Sequence, residues 1–206
     1  MLASSGAVYA PSAEPHHEQR SLVKPEDVYG HTKAQAEQHL RHFATTRELQ
    51  AVIVRLFNVV GPGETNPHVL PEIVAQLKSG VRTLQLGNLT PERDYIHVQD
   101  AAAGFAAAVT ASPVEPGEVL TVNLGTSVTH SVGDLLDRLR HIAGIDFDVA
   151  TDPTRLRPVD RPVLRADITA IAEHFGWRPT KTVDDALADL WRDPDLAPHL
   201  LQRYRT

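Results

Sequence analysis

The segment Ala51–Phe57 reads AVIVRLF, apolar at six of seven positions with no alternating polar face. A strand that alternates can leave one side in water. A strand apolar on both sides must be covered on both sides, and parallel sheets flanked by helices provide that cover. The rest of the chain follows suit. Met1–Ala10 reads as the end of a short buried strand and a turn, and Pro11–Pro25 is a polar, proline-rich loop. Asp27 is suited to cap a helix running to about Arg47, with Leu40 and Phe43 marking its apolar face and Gln35, Gln38 and Arg41 facing water. Gly61-Pro62-Gly63 breaks the chain, and Val69–Ser79 is a helix ended by Gly80. Strands are expected at Thr83–Leu86, Tyr95–Val98, Val119–Leu124 and Phe147–Ala150. Helices are expected at Ala101–Thr110 behind an Asp100 cap, from Ser131 to about Ile142, at Asp167–Phe175 and at Thr182–Trp191. Strands alternating with helices predict an α/β fold. Its sheet is largely parallel and of the doubly wound kind, which binds ligands beyond the carboxyl ends of its strands.

Composition narrows the function classes. Lys and Arg number 20 against 26 Asp and Glu, a net charge of -6 with no basic run, which argues against a nucleic-acid partner. No stretch approaches the roughly 20 apolar residues that span a bilayer, so no membrane partner is expected. Met1–Ser12 has neither the basic start nor the long apolar region of a secretory signal. The chain has no cysteine, which removes disulfide and thiolate chemistry and agrees with the expected cytoplasmic location. Its histidines, including His16-His17, lack a fixed spacing to acidic partners, so no metal site is expected.

Five stretches carry candidate chemistry. Tyr29-x-x-x-Lys33 puts a phenol and an ammonium on one helix face. An ammonium beside a phenol favours the phenolate, which suits proton exchange with an alcohol or ketone oxygen. On its own the spacing also describes an exposed helix face. Ser4-Ser5-Gly6 lies at a strand exit, where a hydroxyl can hold the same oxygen, or simply form a turn. Asn58 follows the buried strand and offers both a donor and an acceptor to a ligand or to its own turn. In Gly87-Asn88-Leu89 through Arg93-Asp94-Tyr95, Arg93 supplies a fork suited to phosphate, or a local salt bridge. Arg155, Arg157 and Arg161 fall within seven residues of a proline-held loop that could grip a diphosphate or be a solvated basic loop.

Taken in order, these stretches resemble the extended short-chain dehydrogenases that act on nucleotide sugars, the NAD-dependent epimerase/dehydratase family. SSGAVY, YGHTK, RLFNVVGPG, RDYIHVQD, VNLG and FGWRP each resemble a landmark of that family, so the likeness runs from Leu2 to about Trp191. GNLTPERDY is similar to GDP-mannose 4,6-dehydratases, and DPTRLRPVDRPVL is more similar to GDP-4-keto-6-deoxy-D-mannose reductases. Dehydratases of the family carry a Glu two places after the strand-end Ser, where this chain has Ala7. Without that base a β-elimination lacks its proton acceptor, which moves the reading to a reductase or an epimerase.

The resemblance implies a C-terminal part of a Rossmann-type parallel sheet, from residues 1–58 and 91–126. It adds a small α/β substrate-binding domain from residues 59–90 and 127–206, with Pro91–Thr126 returning to the sheet. The catalytic residues it implies are Ser5, Tyr29 and Lys33. Tyr29 would give a proton to the C4 oxygen, Ser5 would orient that oxygen, and Lys33 would support Tyr29 and hold the nicotinamide ribose. Phe57 would flank the nicotinamide. Asn58, Arg93, Arg157 and, on the guanosine side, Asn88 would bind substrate, while His97 and Asp100 would be structural. The reaction implied is reduction of the C4 ketone of a GDP-4-keto-6-deoxy sugar with NAD or NADP as cofactor. The alternatives are a 4-epimerase and a non-catalytic sugar-nucleotide-binding fragment.

The glycine-rich turn that cradles a dinucleotide in this family is absent from the sequence. The expectation is therefore that roughly four βα units, about one domain of chain, are missing before Met1. An apolar, unpaired edge is then expected on Ala51–Phe57, inactivity of the chain alone, and a homodimer or a complementing N-terminal half as partner.

Overall fold

The computed structural model describes residues 1–110, 114–155, 161–196 and 198–203, with residue 199 described in its backbone only. In chain order the elements are β1 (Leu2–Ser5), α1 (Val28–Arg47), β2 (Ala51–Leu56), β3 (Asn58–Val60), α2 (Val69–Lys78), β4 (Thr83–Leu86) and β5 (Glu92–His97). There follow α3 (Val98–Thr110), β6 (Val119–Leu124), β7 (Thr129–Ser131), α4 (Val132–Ala143), β8 (Asp148–Thr151), β9 (Val163–Leu164), α5 (Thr169–Phe175), α6 (Val183–Arg192) and α7 (Pro198–Gln202). Local chemistry sets the helix starts. Asp27 accepts a 2.6 Å bond from the Gly30 amide, Ser131 accepts from Asp134, and Thr182 and Asp185 form a reciprocal capping box.

The main sheet is β1-β2-β6, parallel throughout, with Ile53 opposite both Leu2 and Thr121. The first five residues of β2 are buried, as a strand covered on both faces requires. β2 is central, so the expected bare edge on Ala51–Phe57 is corrected. β1 and β6 both pair with β2, and among the described residues each of these two is bonded on one side only. A second correction concerns β5. It does not return to this sheet but pairs with β3 and β9 in parallel and with β7 antiparallel, and only β6 joins the main sheet. β4 and β8 form a separate parallel pair.

The buried apolar side chains fall into two large clusters. One gathers β2, β6, α3 and α5 through Val52, Val54, Val122, Leu124, Ile171 and Trp177. The other gathers α2, α4 and α6 with the β4–β8 pair through Ile73, Leu77, Leu84, Leu135, Leu139 and Leu187. β5 runs between them, with Tyr95 in one cluster and Ile96 in the other. A small third cluster, Val8, Tyr9, Phe57, Leu164 and Ala166, lies at the end of β1 and β2.

Two further expectations are revised. Phe43 is 53% exposed, and the buried line of α1 is Gly30, Glu37 and Ala44, a seven-residue repeat that brings small side chains and one carboxylate to the sheet. Asp100 is not a cap, because α3 already begins at Val98. Its carboxylate instead accepts from the amides of Thr180 and Lys181 and from the Thr180 hydroxyl, which ties α3 to the segment leading into α6.

Candidate active site

The site is built around one turn. β1 ends at Ser5, and Gly6–Val8 forms a single 3₁₀ turn whose Ala7 amide donates to the Ser5 hydroxyl oxygen at 3.2 Å. Two glycines bring other elements onto it. A Cβ on Gly30 would stand 2.6 Å from the Ala7 carbonyl oxygen and 2.8 Å from Pro25 Cβ, so only glycine lets α1 lie this close. A Cβ on Gly6 would stand 3.1 Å from the ring of Phe57, which is buried at the end of β2. The Tyr29 helix and the Phe57 ring thus both pack on the Ser5–Ala7 turn. Tyr29 keeps its ring half exposed. Lys33 extends from the next turn of α1, its Nζ 5.6 Å from the Tyr29 ring centroid, and donates a 3.0 Å bond to the Ala3 carbonyl of β1. A phenol and an ammonium on a helix that packs beside a strand-end turn bearing a hydroxyl are the group types that can hold an oxygen and exchange a proton with it.

The other expected residues divide. Arg93 lies in β5, and its Nη1 donates to the carbonyls of Glu92 and, at 2.7 Å, Arg161. Arg161 in turn donates from Nη2 to the Ala7 carbonyl at 3.1 Å, which links β5 to the turn. Asn58 opens β3 in register with Tyr95 and is exposed directly after Phe57. Asn88 serves its own turn: its side-chain oxygen accepts from the Thr90 amide and hydroxyl. Arg157 lies outside the described residues.

A family model settles the lineage. Residues 1–125, more than half of the chain, match that of the NAD dependent epimerase/dehydratase family. The chain belongs to this family. Among curated relatives in the epimerase/dehydratase family, it is 27% identical over 198 residues to a GDP-6-deoxy-D-mannose reductase of Pseudomonas aeruginosa, covering 92% of this chain and 64% of the relative. It is 32% identical over 210 residues to a UDP-glucose 4-epimerase of Yersinia pestis, covering 93% of this chain and 61% of the relative. Among solved structures, it superposes with a TM-score of 0.82 and 28% identity on UDP-glucose 4-epimerase of Bifidobacterium longum in complex with NAD+ and UDP, covering 95% of this chain and 63% of that one. RMD from Pseudomonas aeruginosa complexed with NADPH shares the fold, with a TM-score of 0.81 at 24% identity over 98% of this chain and 66% of that one. The chain therefore spans somewhat under two thirds of the length of these relatives. Among the described residues, no helix is long and apolar enough to cross a membrane.

Behind the turn, this family member carries a buried polar layer that sequence reasoning missed. Arg55, in the middle of the apolar strand, is bonded from Nε and Nη2 to the two oxygens of Glu37 on α1 at 2.9 and 2.7 Å, and Ser4 donates to the same carboxylate. Its guanidinium stacks 4.7 Å from the centroid of Tyr9, whose hydroxyl donates to Asn123 of β6. Burial, only partly opposed by the Arg55 charge, pushes the Tyr9 phenol up to about 12. Tyr9 also stacks on His16 at 4.5 Å, and among the described residues neither ring nitrogen of His16 has a hydrogen-bond partner. Burial first, then the charges of Arg161 and Arg55, push His16 down to about 4, so it is neutral at pH 7. Two signals could have found this layer. A charged residue within a doubly covered strand demands a buried partner, and a glycine inside a helix marks a close approach.

Proposed function

We propose that this chain carries the catalytic turn and substrate-binding part of a nucleotide-sugar oxidoreductase that reduces the C4 ketone of a GDP-4-keto-6-deoxy sugar with NADH or NADPH. The observation that carries the reading is the docking of the Tyr29–Lys33 helix, through Gly30, onto the Ser5–Ala7 turn. The residue types around that turn fit the nicotinamide end of a cofactor: Phe57 packs an aromatic ring beside Gly6, and Lys33 retains donors beyond its bond to Ala3. A nicotinamide bound there would supply hydride to C4. Ser5 then donates a hydrogen bond to the C4 oxygen and fixes its direction. Tyr29 gives its proton to that oxygen, completing the alcohol, and Lys33 stabilises the phenolate left behind. Asn58 and Arg93, with Arg157, hold the sugar and diphosphate, and Asn88 keeps only its amide nitrogen for the base. In this reading residues 59–90 and 127–206 form the substrate-binding part, which contains most of the α2–α4–α6 cluster.

The second reading is a nucleotide-sugar 4-epimerase, in which the same Tyr29 first takes and then returns the proton. It is favoured by the likeness to UDP-glucose 4-epimerases at 30% identity or above. Either activity would be cytoplasmic. Its protein partner would be a second copy or a complementing N-terminal half.

The test uses the protein from its native source. The reductase reading expects NAD(P)H oxidation that depends on the keto sugar. The epimerase reading expects a C4 epimer with no net change in cofactor. Tyr29→Phe should lower turnover by about 100-fold or more and leave nucleotide-sugar affinity within about twofold. Unchanged turnover in Tyr29→Phe removes the catalytic assignment.

A further inference from the structure

Ser4 immediately precedes Ser5 in β1. It is 3% exposed and stands directly opposite Arg55 in the β1–β2 register. Both side chains meet Glu37 of α1. The Ser4 hydroxyl donates to Oε1 at 2.5 Å, and Arg55 donates to Oε1 and Oε2 at 2.9 and 2.7 Å. Arg55 by itself satisfies both carboxylate oxygens, so the ion pair does not need the hydroxyl. An alanine at this buried position would leave no donor unpaired. The hydroxyl therefore serves the strand that carries it.

β1 needs such a tie, because among the described residues it is bonded along one side only, to β2. Two residues four apart on α1 hold it: Lys33 donates to the Ala3 carbonyl at 3.0 Å, and Glu37 accepts from Ser4. In the proposed reading Lys33 also supports the Tyr29 phenolate and a ribose, so it is not given wholly to Ala3. Glu37 has no second task beyond Arg55, which fixes it, and it is the constant member of the two. Successive strand residues project to opposite sides of one backbone, so a Ser4 held against α1 sets the direction in which Ser5 leaves the strand. On the far side the Ala7 amide donates to the Ser5 oxygen at 3.2 Å, which leaves the Ser5 proton for a ligand.

We propose that Ser4 and Glu37 are positioning residues whose hydrogen bond aims the Ser5 hydroxyl at the C4 oxygen of the sugar. This rests on the nucleotide-sugar reading above. Neither is a catalytic residue, and the whole effect passes through Ser5.

The experiment is calorimetric titration of the chain with GDP and GDP-mannose, and with UDP and UDP-glucose, which isolates the affinity that the sugar adds. The variants are Ser4→Ala, Ser4→Thr, Ser5→Ala, the double Ser4→Ala/Ser5→Ala and, as a control, Thr121→Val. The control removes a different bond between α1 and the sheet, from Arg41 to Thr121 of β6 at 2.6 Å. Ser4→Ala keeps the Glu37–Arg55 pair, so the fold is retained. Ser5→Ala should reduce the sugar's contribution about fivefold, the size of one hydrogen bond. Ser4→Ala should reduce it about threefold, leave GDP and UDP affinity within about twofold, and add nothing in the double variant. Ser4→Thr, which keeps the hydroxyl, should restore the contribution, and Thr121→Val should leave it intact. A merely structural role would weaken nucleotides and nucleotide sugars alike and would add to Ser5→Ala. That pattern, or a sugar contribution lowered by Ser5→Ala and untouched by Ser4→Ala, overturns the proposal and leaves the functional reading standing. A wild-type chain to which the sugar adds no affinity removes both.

Discussion

Glu37 and Arg55 are the two residues on which most of the interior polar layer depends. Both side chains are about 95% or more buried, and the pair joins α1 to β2, the central strand of the main sheet. Removing one partner from a buried pair leaves an uncompensated charge, so Glu37→Ala should lower stability by about 3–5 kcal/mol in denaturant unfolding. A loss under about 1 kcal/mol would mean that water reaches Arg55 there. At this scale the sequence was half legible. Tyr29 and Lys33 stood out because a helix turns a spacing of four into a shared face. Glu37 did not, since its partner is fixed by how α1 lies on the sheet and not by local spacing. Arg161 was read only as one arginine of a basic loop, because its neighbours Ala7 and Glu26 lie 154 and 135 positions away in the chain.

Elements with their own start and stop chemistry were the legible ones. α1 begins after Asp27, α4 after Ser131 with Gly144 in the left-handed region at its end, and α6 after Thr182. Strands of two or three residues, β3, β7 and β9, were missed because pairing with β5 defines them and their own composition does not. The Phe43 expectation failed for a related reason: periodicity shows that a helix has faces, but the close approach at Gly30 decides which face meets the sheet. The Asp27 cap matters beyond the helix it starts, since the same turn carries Gly30 against Ala7. Asp27→Ala should cost about 1 kcal/mol in a thermal melt. It should also weaken nucleotide-sugar binding, whereas a cap far from the site, such as Ser131→Ala, should cost the same stability without that loss.

For the whole molecule, acid sensitivity follows from His16. Its folded value is about 4, against an ordinary 6.5, so the unfolded chain binds the proton more readily. The resulting stability is full above about pH 6.5 and is lost as pH falls towards about 4, on the order of 2 kcal/mol for a buried imidazole. His16→Phe, which keeps a ring for Tyr9 to stack on, should flatten that slope in urea titrations across the window. A slope unchanged by the substitution would assign the acid response to other groups.

The three parallel strands of the main sheet are not held equally. β2 is bonded along both sides, while β1 is bonded along one and steadied on α1 by Lys33 at Ala3. Local opening free energies should differ accordingly. In deuterium, amides of β2 are expected to exchange only when the domain unfolds, and those of β1 through smaller, cheaper fluctuations. The turn bearing Ser5 hangs from the less protected strand, so in the proposed reading the part of the fold that would meet the sugar is also the part expected to breathe. Equal protection of β1 and β2 would show that α1 grips the outer strand as firmly as a neighbouring strand would.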